Sequence, residues 1–219
     1  MTSQTSPRLL LCLSLLATVA CGDAATDSAE GDESAATTAT DPRPALKTHT
    51  FHIARTVLQA GAFGDQGGAL VLRLPYAPVQ PVFSDLTKTI HNPKLKTRGE
   101  AHLTVLTPAE VQATGLSMAQ LLSIAGAGPS ITDLELSCMG VGIPDGKPSL
   151  QTFYLVAHSA EIVAVRAAIA AKAHGALDAT HYFPHVTVGF TSRDLFPESD
   201  HIQNKASATC PNPTGLVVE

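Results

Sequence analysis

Two short segments of the chain are near copies of each other, and each carries a histidine and a threonine two residues apart. They are Ala101–Leu106 and Pro184–Phe190. In a β-strand alternate side chains point to the same face, so each segment presents one imidazole and one hydroxyl together. Imidazoles exchange protons near neutral pH, and hydroxyls donate hydrogen bonds to anionic oxygens. If both strands face one cleft, this set of groups suits cleavage of a phosphate ester without a metal.

The context of the two motifs favours function over a chance match. The candidate catalytic residues are His102, Thr104, His185 and Thr187. The chain has nine histidines, and about one or two would have a hydroxyl residue at this offset by chance. Both pairs, however, lie in alternating β-branched apolar sequence that is typical of strands. The structural alternative is that both motifs are ordinary core strands.

Three blocks around these motifs resemble the 2H phosphoesterase superfamily, and within it the 2H domain of the Swiss Army Knife RNA-repair-like group. They are Arg98–Pro108, Thr152–Val156 and Phe183–Leu195. The resemblance implies an α+β, bilobal fold in which two pseudo-symmetric, mainly antiparallel sheets with outer helices surround a central cleft. It also implies hydrolysis of 2',3'-cyclic phosphates on RNA ends or nucleotides, or of related cyclic phosphates, without a cofactor. In that reaction we expect His185 to act as base and His102 as acid.

Five further residues are candidates for substrate binding, and each has an alternative structural role. Glu100 lies two residues before the first motif histidine, where it either orients that imidazole or is a solvated charge. Arg98 either steers a phosphate or faces water. Tyr154, Tyr182 and Phe183 either stack on a base or belong to the core.

Metal binding is the competing interpretation of the second motif. His181 and His185 are four residues apart, but Pro184 is incompatible with the helical arrangement that would direct both imidazoles at one zinc ion. We therefore expect no metal site.

The N-terminus is typical of an export signal. Arg8 precedes an apolar run, Leu9–Ala20, that is too short for a lasting transmembrane helix. Residues 1–20 are predicted to be a lipoprotein-type signal peptide, because small residues precede Cys21 as in a bacterial lipobox. Cys21 would then be acylated, and the protein would be exported and anchored by lipid to the bacterial cell envelope. An ordinary secretory signal is the alternative.

Residues 21–45 are predicted to comprise the lipidated cysteine and a disordered acidic tether, because residues 22–45 contain no aromatic or large aliphatic residue. Six of the nineteen acidic residues lie there. Residues 46–219 contain thirteen acidic and twelve basic residues and are predicted to form one domain. Binding of long duplex nucleic acid normally needs a basic face, so a nearly neutral domain is not expected to bind one. We expect a monomer that binds a nucleotide or an RNA end.

Two cysteines remain in the predicted domain. Cys138 and Cys210 form a disulfide if the compartment is oxidising, and otherwise Cys138 is a buried thiol.

Strand and helix patterns alternate along this domain. The predicted strands are Thr50–Leu58, Gly68–Leu74, Ala101–Leu106, Thr132–Cys138, Thr152–His158, Pro184–Phe190 and Gly215–Val218. Helices are predicted after the cap residues Thr107 and Ser117 and over Ala160–Ala173.

Two function classes remain open beside the enzyme. One is an envelope lipoprotein with a 2H-like fold that binds a nucleotide or another partner without turnover. The other is a structural lipoprotein, in which both motifs are core strands without a role in binding or catalysis. Retention of both histidines and both threonines favours the enzyme.

Overall fold

The computed structural model describes residues 41–180, 182–195 and 215–219. The helices in this part are α1 (Arg43–Thr48), α2 (Val79–Thr89), α3 (Pro108–Thr114), α4 (Met118–Gly126) and α5 (Ala160–Ala170), with a short 3-10 helix over Arg55–Leu58. The strands are β1 (Thr50–Ile53), β2 (Phe63–Gln66), β3 (Ala69–Leu74), β4 (Ala101–Leu106), β5 (Glu135–Gly142), β6 (Thr152–His158), β7 (His185–Phe190) and β8 (Gly215–Val218).

Six strands form one sheet in the order β2-β3-β4-β7-β6-β5, and all neighbouring strands in it are antiparallel. A separate two-stranded sheet pairs β1 with β8 in parallel. The predicted α+β architecture is confirmed.

The large sheet consists of two similar halves. The first half follows the order β2, β3, α2, β4, and the second follows the order β5, β6, α5, β7. Each half therefore ends on a strand that carries a histidine–threonine motif. The resemblance implies two pseudo-symmetric sheets; in the structure they are the two halves of one continuous sheet, joined edge to edge along β4 and β7.

The central strands separate a helix-covered face from an open face. Leu103 and Val105 of β4 and Val186 and Val188 of β7 are fully buried. Helix α2 packs against β7 and helix α5 packs against β4, so each helix supports the motif strand of the other half. The residues between these buried positions point to the opposite face.

Both predicted helix caps are present. The side chain of Thr107 accepts a hydrogen bond from the Glu110 backbone, and the Glu110 carboxylate accepts one from the Thr107 backbone. Ser117 and Gln120 make the same reciprocal pair at the start of α4. Helix α3 consequently begins one residue after Thr107, directly beyond the first motif strand.

Several element boundaries differ from the sequence prediction. Strand β1 ends at Ile53, not Leu58, because its partner β8 has only four residues. Strand β5 begins at Glu135 and extends to Gly142, because Thr132 and Asp133 bond instead to the first turn of α5. Helices α1 and α2 and strand β2 were not predicted, and α1 begins at Arg43, shortly before the predicted start of the domain.

Some predictions fall outside the described residues. These are the signal peptide, the acylation of Cys21, the tether up to residue 40, and His181. Cys138 is buried and takes part in a disulfide, but Cys210 also lies outside the described residues, so the pairing stays a prediction. Within the described ranges, no helix is both long and apolar enough to cross a bilayer.

Candidate active site

The two motif strands lie side by side in the centre of the sheet. Leu103 of β4 pairs with Val186 of β7 in an antiparallel ladder. Because the two strands run in opposite directions, this register sets each motif histidine beside the threonine of the other motif. Cross-strand neighbours of this kind have Cβ atoms about 5 Å apart. A single ligand can therefore contact both motifs.

The open face of the sheet forms a cleft with a volume of about 520 Å³. The side chains of His102, Thr104, His185 and Thr187 all line it. The β2–β3 hairpin and the start of α3 supply other parts of the wall. The structure thus brings together the four residues that the sequence nominates for catalysis.

The His185 ring is held by its own backbone and by two aromatic rings. Its Nδ1 lies 3.0 Å from the carbonyl oxygen of Phe183, which can only accept a hydrogen bond. Nδ1 therefore carries the proton, and Nε2 keeps its lone pair in the neutral ring. The Phe183 ring stacks on the imidazole at 5.5 Å, and Tyr154 packs against it at 5.2 Å. These contacts fix both the tautomer and the orientation.

The His102 ring has different surroundings. Its side chain is 14% exposed, and its Nδ1 lies 3.8 Å from the Oε1 atom of Glu100. This Nδ1 is buried and has no hydrogen-bond partner among the described residues. Glu100 is in turn bound by the side-chain amide of Gln66. A carboxylate held near an imidazole nitrogen favours the protonated ring.

Both motif histidines have a lower pKa in the folded protein than a histidine exposed to water. Burial lowers the pKa of His102; the charges of Arg98 and His185 lower it further, whereas Glu100 and Asp194 raise it. Burial also lowers the pKa of His185, against the opposing effects of the Phe183 carbonyl and Asp194. The free protein therefore holds both rings mainly neutral at pH 7.

An ion pair connects the segments that flank the two motif strands. The Nε of Arg98, which precedes β4, lies 2.8 Å from a carboxylate oxygen of Asp194, which follows β7. The other oxygen of Asp194 accepts hydrogen bonds from the Leu195 backbone and the Thr152 hydroxyl. Arg98 and Asp194 both line the cleft. Arg98 therefore shares the cleft with the two histidines, and its charge lowers the pKa of His102.

A buried arginine connects several of the segments that surround the cleft. Arg166 of α5 is fully buried and donates to the Glu110 carboxylate at 2.7 Å and to the Val105 carbonyl at 2.6 Å. It also donates to the Asp178 carbonyl, and its guanidinium lies 4.7 Å from the ring centre of Tyr182. Arg166 thereby links the end of the first motif strand to the segment that leads into the second.

The three aromatic candidates have two different roles. Tyr182 and Phe183 line the cleft. Tyr154 does not: it is 2% exposed and belongs to a small core cluster with Cys138 and Val156. Gly140 lies opposite Tyr154 in β5 and has no side chain to obstruct the ring. Tyr154 therefore contacts His185 rather than a base.

A family model described as Swiss Army Knife, 2H phosphoesterase domain, matches residues 68–196, which is more than half of the chain. The chain belongs to the 2H phosphoesterases. The match includes β3 to β7 and both motif strands, and the family is one of hydrolases. No curated protein and no solved structure matches the chain.

Four residues at this 2H phosphoesterase cleft were not nominated from the sequence. Glu110 stands three residues after Thr107, where the sequence indicates only a capping-box partner. Asp194 lies in the Phe183–Leu195 block, and the sequence gives it no role of its own. Arg166 occupies the apolar face of α5, where charge is not expected. Gln66 had no sequence signal, because only the folding of the β2–β3 hairpin brings it to Glu100.

Among the residues that the structure describes, no group of three or more His, Cys, Asp or Glu side chains is placed to share a metal ion.

Proposed function

We propose that this 2H phosphoesterase hydrolyses 2',3'-cyclic phosphates of nucleotides or RNA ends, or related cyclic phosphates, by general acid–base catalysis without a metal. The observation that carries the proposal is the convergence of two imidazoles and two hydroxyls on one cleft. The unequal surroundings of the two imidazoles provide the base and the acid that such a reaction needs.

His185 is the proposed general base. Its proton is on Nδ1, so Nε2 is free to accept a proton from water. Its lowered pKa keeps the ring neutral near pH 7. As water attacks phosphorus, Nε2 takes the water proton, and one bond between phosphorus and a ribose oxygen breaks.

His102 is the proposed general acid. Its Nδ1 faces the carboxylate of Glu100, which raises the pKa of this ring against the effect of burial. An anionic phosphate in the cleft favours the imidazolium in the same way. The protonated ring then gives its proton to the departing ribose oxygen, so that protons and charges balance over the reaction.

Thr104 and Thr187 are the proposed donors to the non-bridging phosphate oxygens. Neutral donors of this kind stabilise the charge that develops in the transition state. The described lining holds one basic residue, Arg98, against two acidic ones, Glu110 and Asp194. Such a lining favours a singly charged cyclic diester over a ligand with several charges.

The first test is turnover by the full chain of 2',3'-cyclic nucleotides and of a short RNA with a cyclic end, in EDTA. His102→Ala and His185→Ala should each lower kcat/KM about 100- to 10,000-fold, the usual contribution of an acid or base. His158→Ala, which removes an exposed histidine outside the cleft, is the matched control and should leave kcat/KM unchanged.

Two results would count against the proposal. Activity that disappears in EDTA and returns with a divalent cation would contradict the metal-free mechanism. Tight nucleotide binding without turnover would favour the alternative, a non-catalytic nucleotide-binding protein.

A further inference from the structure

Gly140 of β5 lies directly beneath the aromatic ring of Tyr154 on β6. The two residues pair in the antiparallel ladder. A Cβ atom added at Gly140 would lie 2.9 Å from Cζ and 3.0 Å from Cδ2 of that ring, and closer still to Cε2, whereas carbon atoms in contact are about 3.5–4.0 Å apart. Glycine weakens the interior of a strand and often marks a place where another group approaches closely. At residue 140 the approaching group is the Tyr154 ring, and any larger side chain there would displace it.

A β-bulge between β6 and β7 aligns Tyr154 with the second motif. The register shifts just before Tyr154, so that it pairs with Thr187 rather than with Val188, which an unshifted ladder would place opposite it. Bulges next to active sites redirect side chains in this way. Tyr154 consequently lies one diagonal step from His185, which is within reach of an aromatic ring.

The Tyr154 ring lies against the proposed general base. Its centroid is 5.2 Å from that of the His185 imidazole and 5.6 Å from that of the Phe183 ring. Tyr154 is almost fully buried, so little space is left above it. Strand β6 lies between β5 and β7, and a ring displaced from Gly140 therefore moves towards His185.

We infer that Gly140 and Tyr154 are positioning residues for His185: Gly140 leaves room for the Tyr154 ring, and that ring holds the imidazole with its Nδ1 on the Phe183 carbonyl. The inference rests on the proposed function, which makes His185 the base, and it adds a strand to the catalytic support. Among the described residues, β5 and β6 supply none to the lining of the cleft. The two residues therefore act through His185 and not on the substrate.

Gly140→Ala should lower kcat about ten- to a hundredfold, because a small displacement of a catalytic group has an effect of that size. KM should stay unchanged, because neither Gly140 nor Tyr154 lines the cleft. Steady-state turnover of a 2',3'-cyclic nucleotide by the full chain measures both. Gly126→Ala is the matched control, since Gly126 is exposed at the end of α4 and a Cβ atom added there meets no atom within 4 Å.

A double variant tests whether this effect passes through the ring. Tyr154→Leu removes the ring atoms that a side chain at residue 140 would meet. Adding Gly140→Ala to Tyr154→Leu should therefore lower kcat no further. Tyr154→Phe keeps the ring and should keep the wild-type kcat. An equal loss from Gly140→Ala in both backgrounds would overturn the inference.

NMR of the imidazole nitrogens in the free protein separates this inference from the proposed function, because it needs no turnover. The wild type should show His185 protonated on Nδ1, the tautomer that the Phe183 carbonyl fixes. Gly140→Ala should add the Nε2-protonated tautomer. Tyr154→Leu should raise the pKa of His185, because burial lowers that pKa and water would then reach the ring. The titrating groups near the ring, Asp194 and His102, are the same in every variant.

Phe153→Leu is the control for loss of a buried ring. Phe153 precedes Tyr154 on β6, is fully buried, and belongs to the main core on the other face of the sheet. Its replacement should lower the urea midpoint but leave the tautomer and the pKa of His185 unchanged. If the wild type turns over no substrate, the proposed function fails, and the spectra still decide the positioning role. The same His185 tautomer and pKa in the wild type, Gly140→Ala and Tyr154→Leu would overturn that role.

Discussion

The two motif histidines have nearly identical sequences around them but different hydrogen-bonding environments. His185 donates from Nδ1 to the Phe183 carbonyl, whereas the Nδ1 of His102 faces Glu100 across 3.8 Å. A neutral carbonyl fixes a tautomer, and a carboxylate stabilises a positive charge. The asymmetry between acid and base thus comes from the neighbours of the motifs.

Glu100→Gln should shift the protonation of His102 without removing it. Because Glu100 raises the pKa of His102, its loss should lower that pKa and move the alkaline limb of the kcat/KM profile to lower pH. Glu100 is 41% exposed, so solvent screens the effect, and kcat/KM at pH 7 should fall about two- to fivefold. A pH–rate profile measures the shift.

Glu135→Gln is the control for this substitution, since Glu135 is an exposed carboxylate on β5. Its profile should overlay that of the wild type. An alkaline limb that stays in place in Glu100→Gln would show that Glu100 does not act on the acid.

Among the individual residues of the cleft, the sequence predicts those whose position is set by the strand in which they lie. His102, Thr104, His185 and Thr187 are recognisable because strand alternation determines which face they share. Gln66 and Asp194 are not, because their partners Glu100 and Arg98 are 34 and 96 residues away. Only tertiary folding creates those contacts.

The elements of the two halves depend on each other. Helix α2 belongs to the first half and packs on β7, the motif strand of the second half. Helix α5 belongs to the second half and packs on β4, the motif strand of the first. Strands β4, β6 and β8 and both capped helix starts follow from local pattern and were predicted. Helix α2 was not predicted, because the sequence there contains three prolines, Pro75, Pro78 and Pro81, a composition typical of a loop. Proline is compatible with a first helical turn, which is where Pro81 lies.

Arg166→Met should destabilise the fold through the elements that this arginine joins. Removal of the guanidinium takes a hydrogen-bond donor from the buried Val105 carbonyl. It also takes the ion-pair partner from the Glu110 carboxylate, which is 25% exposed and keeps its hydrogen bond from the Thr107 backbone. Loss of one member of a buried ion pair costs about 3–5 kcal/mol. The free energy of unfolding in urea should fall by that amount.

Arg166→Lys should recover part of this loss, because lysine keeps the charge but lacks the forked donor geometry. Lys172→Met, just beyond α5 on an exposed position, is the control and should change stability little. A decrease of less than about 1 kcal/mol in Arg166→Met would contradict this account, since exposed pairs have that magnitude.

Over the whole molecule, charge is unevenly distributed along the chain. Residues 22–45 hold six of the nineteen acidic residues, while residues 46–219 are nearly neutral. The sequence therefore predicts that the domain itself binds small ligands rather than a long duplex. Export and attachment through Cys21 stay predictions, because residues 1–40 lie outside the described part.

The free energy of unfolding should decrease as the pH falls below about 6.5, the pKa of histidine in an unfolded chain. Burial lowers the pKa values of His102 and His185 in the folded protein, so the unfolded chain binds protons that the folded chain does not. Stability therefore rises with pH in this range, is fully present above pH 6.5, and is lost towards the lowered pKa values. Urea unfolding at pH 5, 6 and 7 tests this against a His102→Asn, His185→Asn double variant, which shares every other titrating group. The wild type should show the steeper loss, and parallel losses in both proteins would mean that neither histidine is buried as described.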